Sequence, residues 1–193
     1  EGFDPAPNFS VYAILATWPS LEIARERVDD SPIYRRYRRR ADETWTVFVA
    51  PTRSRGSWDG HRPFQPEDPP QDAGGDWVGV LTRATVRTSS LLAFWRTVPP
   101  ISALTAGLPG LHFKLGMGEL PVMQLMTFSL WRDLPDVKRF AYGAGPHREA
   151  MQLARKHRWF EEELFARFRV IDAVGTWHGT NPLEKAREEE VAA

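Results

Sequence analysis

The 193-residue chain contains no cysteine. This excludes disulfides, iron–sulfur clusters, thiolate zinc sites and thiolate-ligated haem, so any metal must be held by His, Tyr, Met or carboxylates. It also fits a reducing, cytoplasmic compartment. Net charge is missing as well, because 25 Lys and Arg balance 25 Asp and Glu. No global field therefore draws the chain to nucleic acid or to an anionic surface. No apolar run within it approaches the roughly 20 residues that a membrane-spanning helix needs.

What the chain has is aromatic and apolar bulk. Eight Trp, eleven Phe and a hydrophobic share of 42% suit a sizeable core, or a cavity lined with large flat side chains. The length suits one domain or two small fused modules.

Glu1 to Asn8 reads as an extended loop, and Phe9–Trp18 as a buried strand, nearly all apolar. Ser20 is placed to cap a helix that breaks at Pro32 and ends in a cationic run, Tyr34–Arg40. Glu43–Pro51 is the next strand. Residues 52–75 read as a linker rich in Pro, Gly, Asp and Arg. Strands follow at Asp76–Arg87, Leu111–Leu115, Gln124–Trp131 and Phe165–Trp177. A helix from Ser89 is expected to be interrupted by Pro99 and Pro100, with a second short helix over Ile101–Ala106. Asp133–Tyr142 is helical, and after a Gly-Ala-Gly-Pro turn the helix resumes to about Leu164, with Pro146 in its first turn. The tail from residue 179 is polar and expected to fray.

Two stretches follow one plan. YAILATWPSLEIARERV, TWTVFVAP and SRGSWDG in the first correspond to LMTFSLWRDLPDVKRFA, FARFRVID and VGTWHG in the second. With the strand-helix-strand before the second copy, residues 76–178 read β-α-β-β-α-β, the ferredoxin-like order. The expected organisation is a partial first module over 1–60, a linker over 61–75, a complete module over 76–178, and a tail over 179–193. The fold class is α+β: ferredoxin-like repeats of antiparallel sheet covered by helices, closing into an α+β barrel of the dimeric type. That leaves room for a cavity between a sheet and its helices.

VYAILATW, TWTVFVAP, VLTRATV, FKLGMGELP, TFSLW, GPHREA, WFEEELFARFRV and GTWHG, in this order and spacing, resemble the spheroidene monooxygenase family of carotenoid-modifying enzymes. The resemblance covers nearly the whole chain. Family members carry a further strand, helix and strand before the first of these segments. The resemblance implies haem, and oxygen introduced into an acyclic carotenoid to give a keto product such as spheroidenone. It further implies molecular oxygen, an external electron donor, a homodimer, and a hydrophobic substrate reached by peripheral contact with the inner face of a membrane, with Tyr34–Arg40 as the contacting surface. Haem chemistry of another kind (peroxidase, dehydratase or haem handling) and a haem-free ligand-binding barrel are the alternatives.

Five His are present. His61 and His178 lie in polar loops and His157 in a basic segment, while His112 sits in a short strand. His147 follows a Gly-Pro turn and shares a helix face with Ala150, Met151 and Ala154. Together with the resemblance, this makes His147 the expected haem-iron ligand. Its other ring nitrogen would be held by a carbonyl or carboxylate. Arg83 and Arg87, alternating with apolar residues in a strand, are candidates to orient oxygen or pair with a propionate. Lys114 and Arg148 are the alternatives for the propionates. Phe113, Phe128, Trp131 and Met151 are candidates to line the cavity.

Overall fold

The computed structural model describes residues 8–66, 77–120 and 122–191. Residues 1–7 of the expected N-terminal loop and 67–75 of the linker lie outside them. The helices are α1 (Leu21–Asp30), α2 (Pro32–Arg38), α3 (Leu91–Leu104), α4 (Leu134–Tyr142), α5 (Pro146–His157) and α6 (Pro182–Val191). The strands are β1 (Trp45–Gly56), β2 (Val78–Val86), β3 (Leu111–Leu120), β4 (Gln124–Trp131) and β5 (Phe160–Gly175). They form one sheet in the order β1-β5-β2-β4-β3. β2 runs antiparallel to both β4 and β5, and β3 antiparallel to β4. The order β5-β2-β4-β3, with α3 between β2 and β3 and α4–α5 between β4 and β5, is the ferredoxin-like arrangement, and the fold is α+β. No helix among the described residues is long and apolar enough to cross a membrane.

The pleat of β2 sorts side chains onto two faces. Val78 and Val80, with Trp131 of β4, pack against Val137 of α4, so this is the helix-covered face. Leu81 and Arg83 point the other way, with their register partners Phe128, Met126, Ala166 and Leu164.

Two compact units divide the described residues: those within 1–13 and 51–169, and those within 14–50 and 170–191. In the second unit Ser20 caps α1, accepting from the Ile23 N–H. The Arg38 guanidinium donates to the Val28 and Asp29 carbonyls at the end of α1, where a cation meets the negative pole of the helix. Asn181 precedes α6, receives the Trp45 indole N–H at 3.2 Å and donates to the Ala173 carbonyl at 3.2 Å.

Several expectations are corrected. Phe9–Trp18 is not a strand, and Phe9 and Tyr12 are largely exposed. A strand needs a neighbour to satisfy its backbone, and no described residue forms a ladder with it. β1 continues through Gly56, into the stretch read as linker. α3 runs unbroken through Pro99 and Pro100. Both prolines are exposed, so water can reach the carbonyls they leave without donors. α5 stops at His157, ended by Arg158 at φ +50°, and β5 begins at Phe160. The tail is helical at α6, with Leu183 and Ala186 buried.

Candidate functional site

Arg83 is almost fully buried, with 1% of its side chain exposed. β2 aims it at the face opposite the helices, where three carboxylates meet it. Glu119 accepts at 2.8 Å, Glu162 at 2.9 Å and Asp59 at 3.1 Å. Its Nε also points to Glu119 at 3.2 Å, and its guanidinium lies 4.9 Å from the Trp58 ring. Burial works against its charge, but the hydrogen bonds and charges of Glu119, Glu162 and Asp59 outweigh it and raise its pKa. Every guanidinium nitrogen is engaged, so the group expected to orient oxygen is the centre of an ion cluster instead.

Glu162 also clasps a loop. Its carboxylate accepts from the Ser57 hydroxyl at 2.7 Å and from the Asp59 and Gly60 N–H groups at 2.9 Å each. The Gly60 N–H first, then the Ser57 hydroxyl, the Asp59 N–H and Arg83 hold its pKa down to about 2. In the second unit Glu43 does the same for the matching loop. It accepts from the Thr176 hydroxyl at 3.0 Å, the His178 N–H at 2.6 Å and the Gly179 N–H at 3.0 Å. Donation from Gly179 and His178 lowers the pKa of Glu43. Gly56 and Gly175 open the two loops with φ of +92° and +84°. A Cβ at either would fall 2.0 Å from a carbonyl oxygen, that of Glu163 or of Thr44, so only glycine fits. These residues are structural, and the repeated Gly-x-Trp-x-Gly is the signal that marks them.

His147 lies on the helix-covered side, in the first turn of α5. Its ring is 4.6 Å from Phe140, which is 5.3 Å from Trp131. Its Nδ1 is buried and makes no hydrogen bond. Burial lowers its pKa, opposed by a hydrogen bond to the Ala141 backbone. The ring is thus a neutral imidazole whose buried Nδ1 has no hydrogen-bond partner. This is the donor chemistry of a metal-ligating His. Among the described residues no three His, Asp or Glu side chains converge as a ligand set.

The remaining candidates divide by face. Trp131 is with His147, and Lys114, opposite Ser129 of β4, shares that face. Lys114 turns toward α3, bonding Thr105 Oγ1 and the Ser102 carbonyl, and burial lowers its pKa. Met151 is half-buried on α5, and Arg148 is exposed. Phe113 and Phe128 contact each other at 6.5 Å on the opposite face, so they cannot line one cavity with His147. Arg87 lies past the end of β2 and is exposed. Of the other His, His112 packs 4.7 Å from Trp77, and His61, His157 and His178 are exposed. Sequence reading missed Glu119 and Glu162, whose pairing with Arg83 depends on the register of distant strands. It also missed a hydroxyl pair, Thr82 and Thr127, whose only signal is their facing positions on β2 and β4.

No family model matches the chain. Solved structures with partial likeness include a conserved protein from Methanosarcina mazei, with 15% identity, a TM-score of 0.42, and coverage of 49% of this chain and 93% of that one. Another is SnoaB, a cofactor-independent oxygenase from Streptomyces nogalater, with 17% identity, a TM-score of 0.38, and coverage of 54% and 96%. Spheroidene monooxygenase of Cereibacter sphaeroides is 44% identical over 187 residues, covering 96% of this chain and 57% of that protein. The chain therefore spans little more than half of that relative. Spheroidene monooxygenase of Rhodobacter capsulatus is 40% identical over 193 residues, covering 100% of this chain and 80% of that protein. At that identity and coverage, the chain belongs to the spheroidene monooxygenase family.

Proposed function

We propose that this protein is a haem-dependent monooxygenase that hydroxylates or ketolates a hydrophobic, carotenoid-type polyene, using molecular oxygen and an external electron donor. The single observation that carries the haem assignment is the buried, unpartnered Nδ1 of a neutral His147. Family membership carries the monooxygenase class and the substrate class. Haem, when bound, supplies oxygen activation.

The rest is the work of the chain. His147 would hold the iron, and the backbone at Ala141 would orient its ring. Phe140 and Trp131 shield that ring on the sheet side and exclude water. Met151 lines the same side. Arg148, exposed one residue on, would supply a cation for a propionate.

The test is the absorption spectrum of the purified protein after haem supplementation. A Soret band is expected, and in His147→Ala it should be lost together with oxygen incorporation, while far-UV circular dichroism is unchanged. His157→Ala should behave as wild type. If His147→Ala retains a normal Soret band and turnover, the assignment falls and His112 becomes the next candidate. One observation favours a second reading, a haem-free barrel: Nδ1 is sealed from solvent, so a bound group enters only if its surroundings shift. A colourless protein after supplementation selects that reading.

Polyenes of this class reside in bilayers, which calls for peripheral contact. Arg35, Arg36, Arg39 and Arg40 are exposed in and after α2, with Ile33 and Tyr37 exposed among them. This is the composition of a membrane-surface element. Flotation with anionic liposomes should weaken when these four arginines are replaced by Gln. Unchanged flotation discards the surface.

A further inference from the structure

The middle of a central strand beneath covering helices should be the driest point of that layer. On the helix-covered face of β2, Val78, Val80 and Val86 are indeed buried. Thr82, between them, is exposed. Thr127 stands opposite on β4, and the two hydroxyl oxygens are 2.6 Å apart. Beyond Thr127 in register is Gly116 of β3, which adds no side chain. One rung along, Ser129 of β4 receives the Trp131 indole N–H at 2.8 Å. Thr127, Ser129 and Trp131 alternate along β4 on one face, and Trp131 leads through Phe140 to His147. Thr82 and Thr127 thus form a hydroxyl floor that reaches solvent, and buried Trp131 and half-buried Phe140 lie between it and the His147 ring.

The floor is specific in its chemistry. A hydrogen bond between two hydroxyls uses one hydrogen and leaves the second free to donate, with lone pairs to spare on both oxygens. The second hydrogen has no acceptor among the described residues. The pair is uncharged. Of the cations on this face, Lys114 is turned to Ser102 and Thr105 at the end of α3, and the buried Arg167 guanidinium donates to the Thr52 hydroxyl. A carboxylate or phosphate would find no counter-charge on the floor, whereas a neutral oxygen would find a donor.

We infer that the Thr82–Thr127 pair is a specificity element. It seats one neutral oxygen function (hydroxyl, ether or carbonyl) of a ligand that is otherwise apolar. This rests on the polyene reading above for the ligand class, and it adds which end of the molecule the cleft recognises.

The probes are an acyclic polyene hydrocarbon and the same polyene bearing one hydroxyl at its end, each titrated in detergent against tryptophan fluorescence. Wild type should bind the hydroxylated polyene roughly 3–10-fold more tightly, the scale of one hydrogen bond. Thr82→Val and Thr127→Val keep the branched shape that strands favour. Each should lose that preference and leave hydrocarbon affinity unchanged. Thr82→Ser, which restores a hydroxyl, should recover it. If wild type shows no preference, or both Val variants retain it, the inference is overturned while the polyene reading stands. If neither polyene binds wild type, the polyene reading fails and the inference falls with it.

Discussion

Replacing Arg83 with Met removes one buried cation and strands its partners. The guanidinium is 1% exposed and touches Glu119, Glu162 and Asp59. Met fills much of the same volume, so the loss is mainly electrostatic. Breaking a buried ion pair from one side costs about 3–5 kcal/mol. Asp59 and Glu119 have side-chain exposures of 66% and 30%, so water can take over their solvation once the cation is gone, and the lower end applies. For a chain of this size, about 3 kcal/mol lowers Tm by roughly 6–12 °C. Urea unfolding followed by Trp fluorescence measures the cost. A cycle with Glu162→Gln then isolates the pair: the double variant should be less destabilised than the sum of the singles by about 1 kcal/mol or more. A cost for Arg83→Met below about 1 kcal/mol, or additivity within about 0.5 kcal/mol, would refute the view that this cluster anchors the Trp58 loop.

Acid stability should follow Glu162. Its folded pKa, about 2, lies below the ordinary carboxylate value, so its contribution is complete above about pH 4.5 and is lost as pH falls toward 2. Urea midpoints measured from pH 5 to pH 2.5 should therefore fall less steeply in Glu162→Gln, and parallel curves would contradict the assignment. Gly175→Ala places a Cβ 2.0 Å from a backbone carbonyl at a φ of +84°, and should cost about 2 kcal/mol or more by thermal melting. Gly60→Ala, at a φ of +76° with nothing within 4 Å, should cost only the conformational penalty of about 1–2 kcal/mol.

What the sequence made legible was set by local patterning. β4 is where its apolar run places it, Gln124–Trp131, and Ser20 caps α1 as its position before Leu21 suggests. The ferredoxin-like order followed from the succession of elements. The errors lie where distant partners decide. Glu161, Glu162 and Glu163 are good helix formers, yet they open β5, because Glu163 pairs with Ala84 of β2 and Glu162 reaches Arg83. Thr52 to Gly56 reads as loop by composition, and it is strand because β5 runs beside it. For the site, the position of His147 could be read from one turn and one helix face. That Arg83 is consumed by carboxylates, and that Phe113 and Phe128 face away from His147, depends on strand register, which no single segment encodes.

The duplicated loop gives the internal repeat a basis in atoms and not only in pattern. The interval from Glu43 to Gly56 equals that from Glu162 to Gly175. In each copy a carboxylate receives a hydroxyl and two successive N–H groups from Gly-x-Trp-x-Gly. In each, the N–H after the glycine bonds the carbonyl next to that carboxylate, Ser57 to Glu163 and Thr176 to Thr44. The copies differ at two loop residues, Ser57 against Thr176 and Asp59 against His178, and the second pair takes positive φ, 49° and 53°. Backbone geometry is therefore held constant while side-chain charge is not. Asp59 adds a third acceptor to Arg83, so the copy within the ferredoxin-like module is locked by charge. That lock lies on the face of the sheet away from the helices. The helix-covered face instead holds the uncharged Thr82–Thr127 pair and the buried Nδ1 of His147.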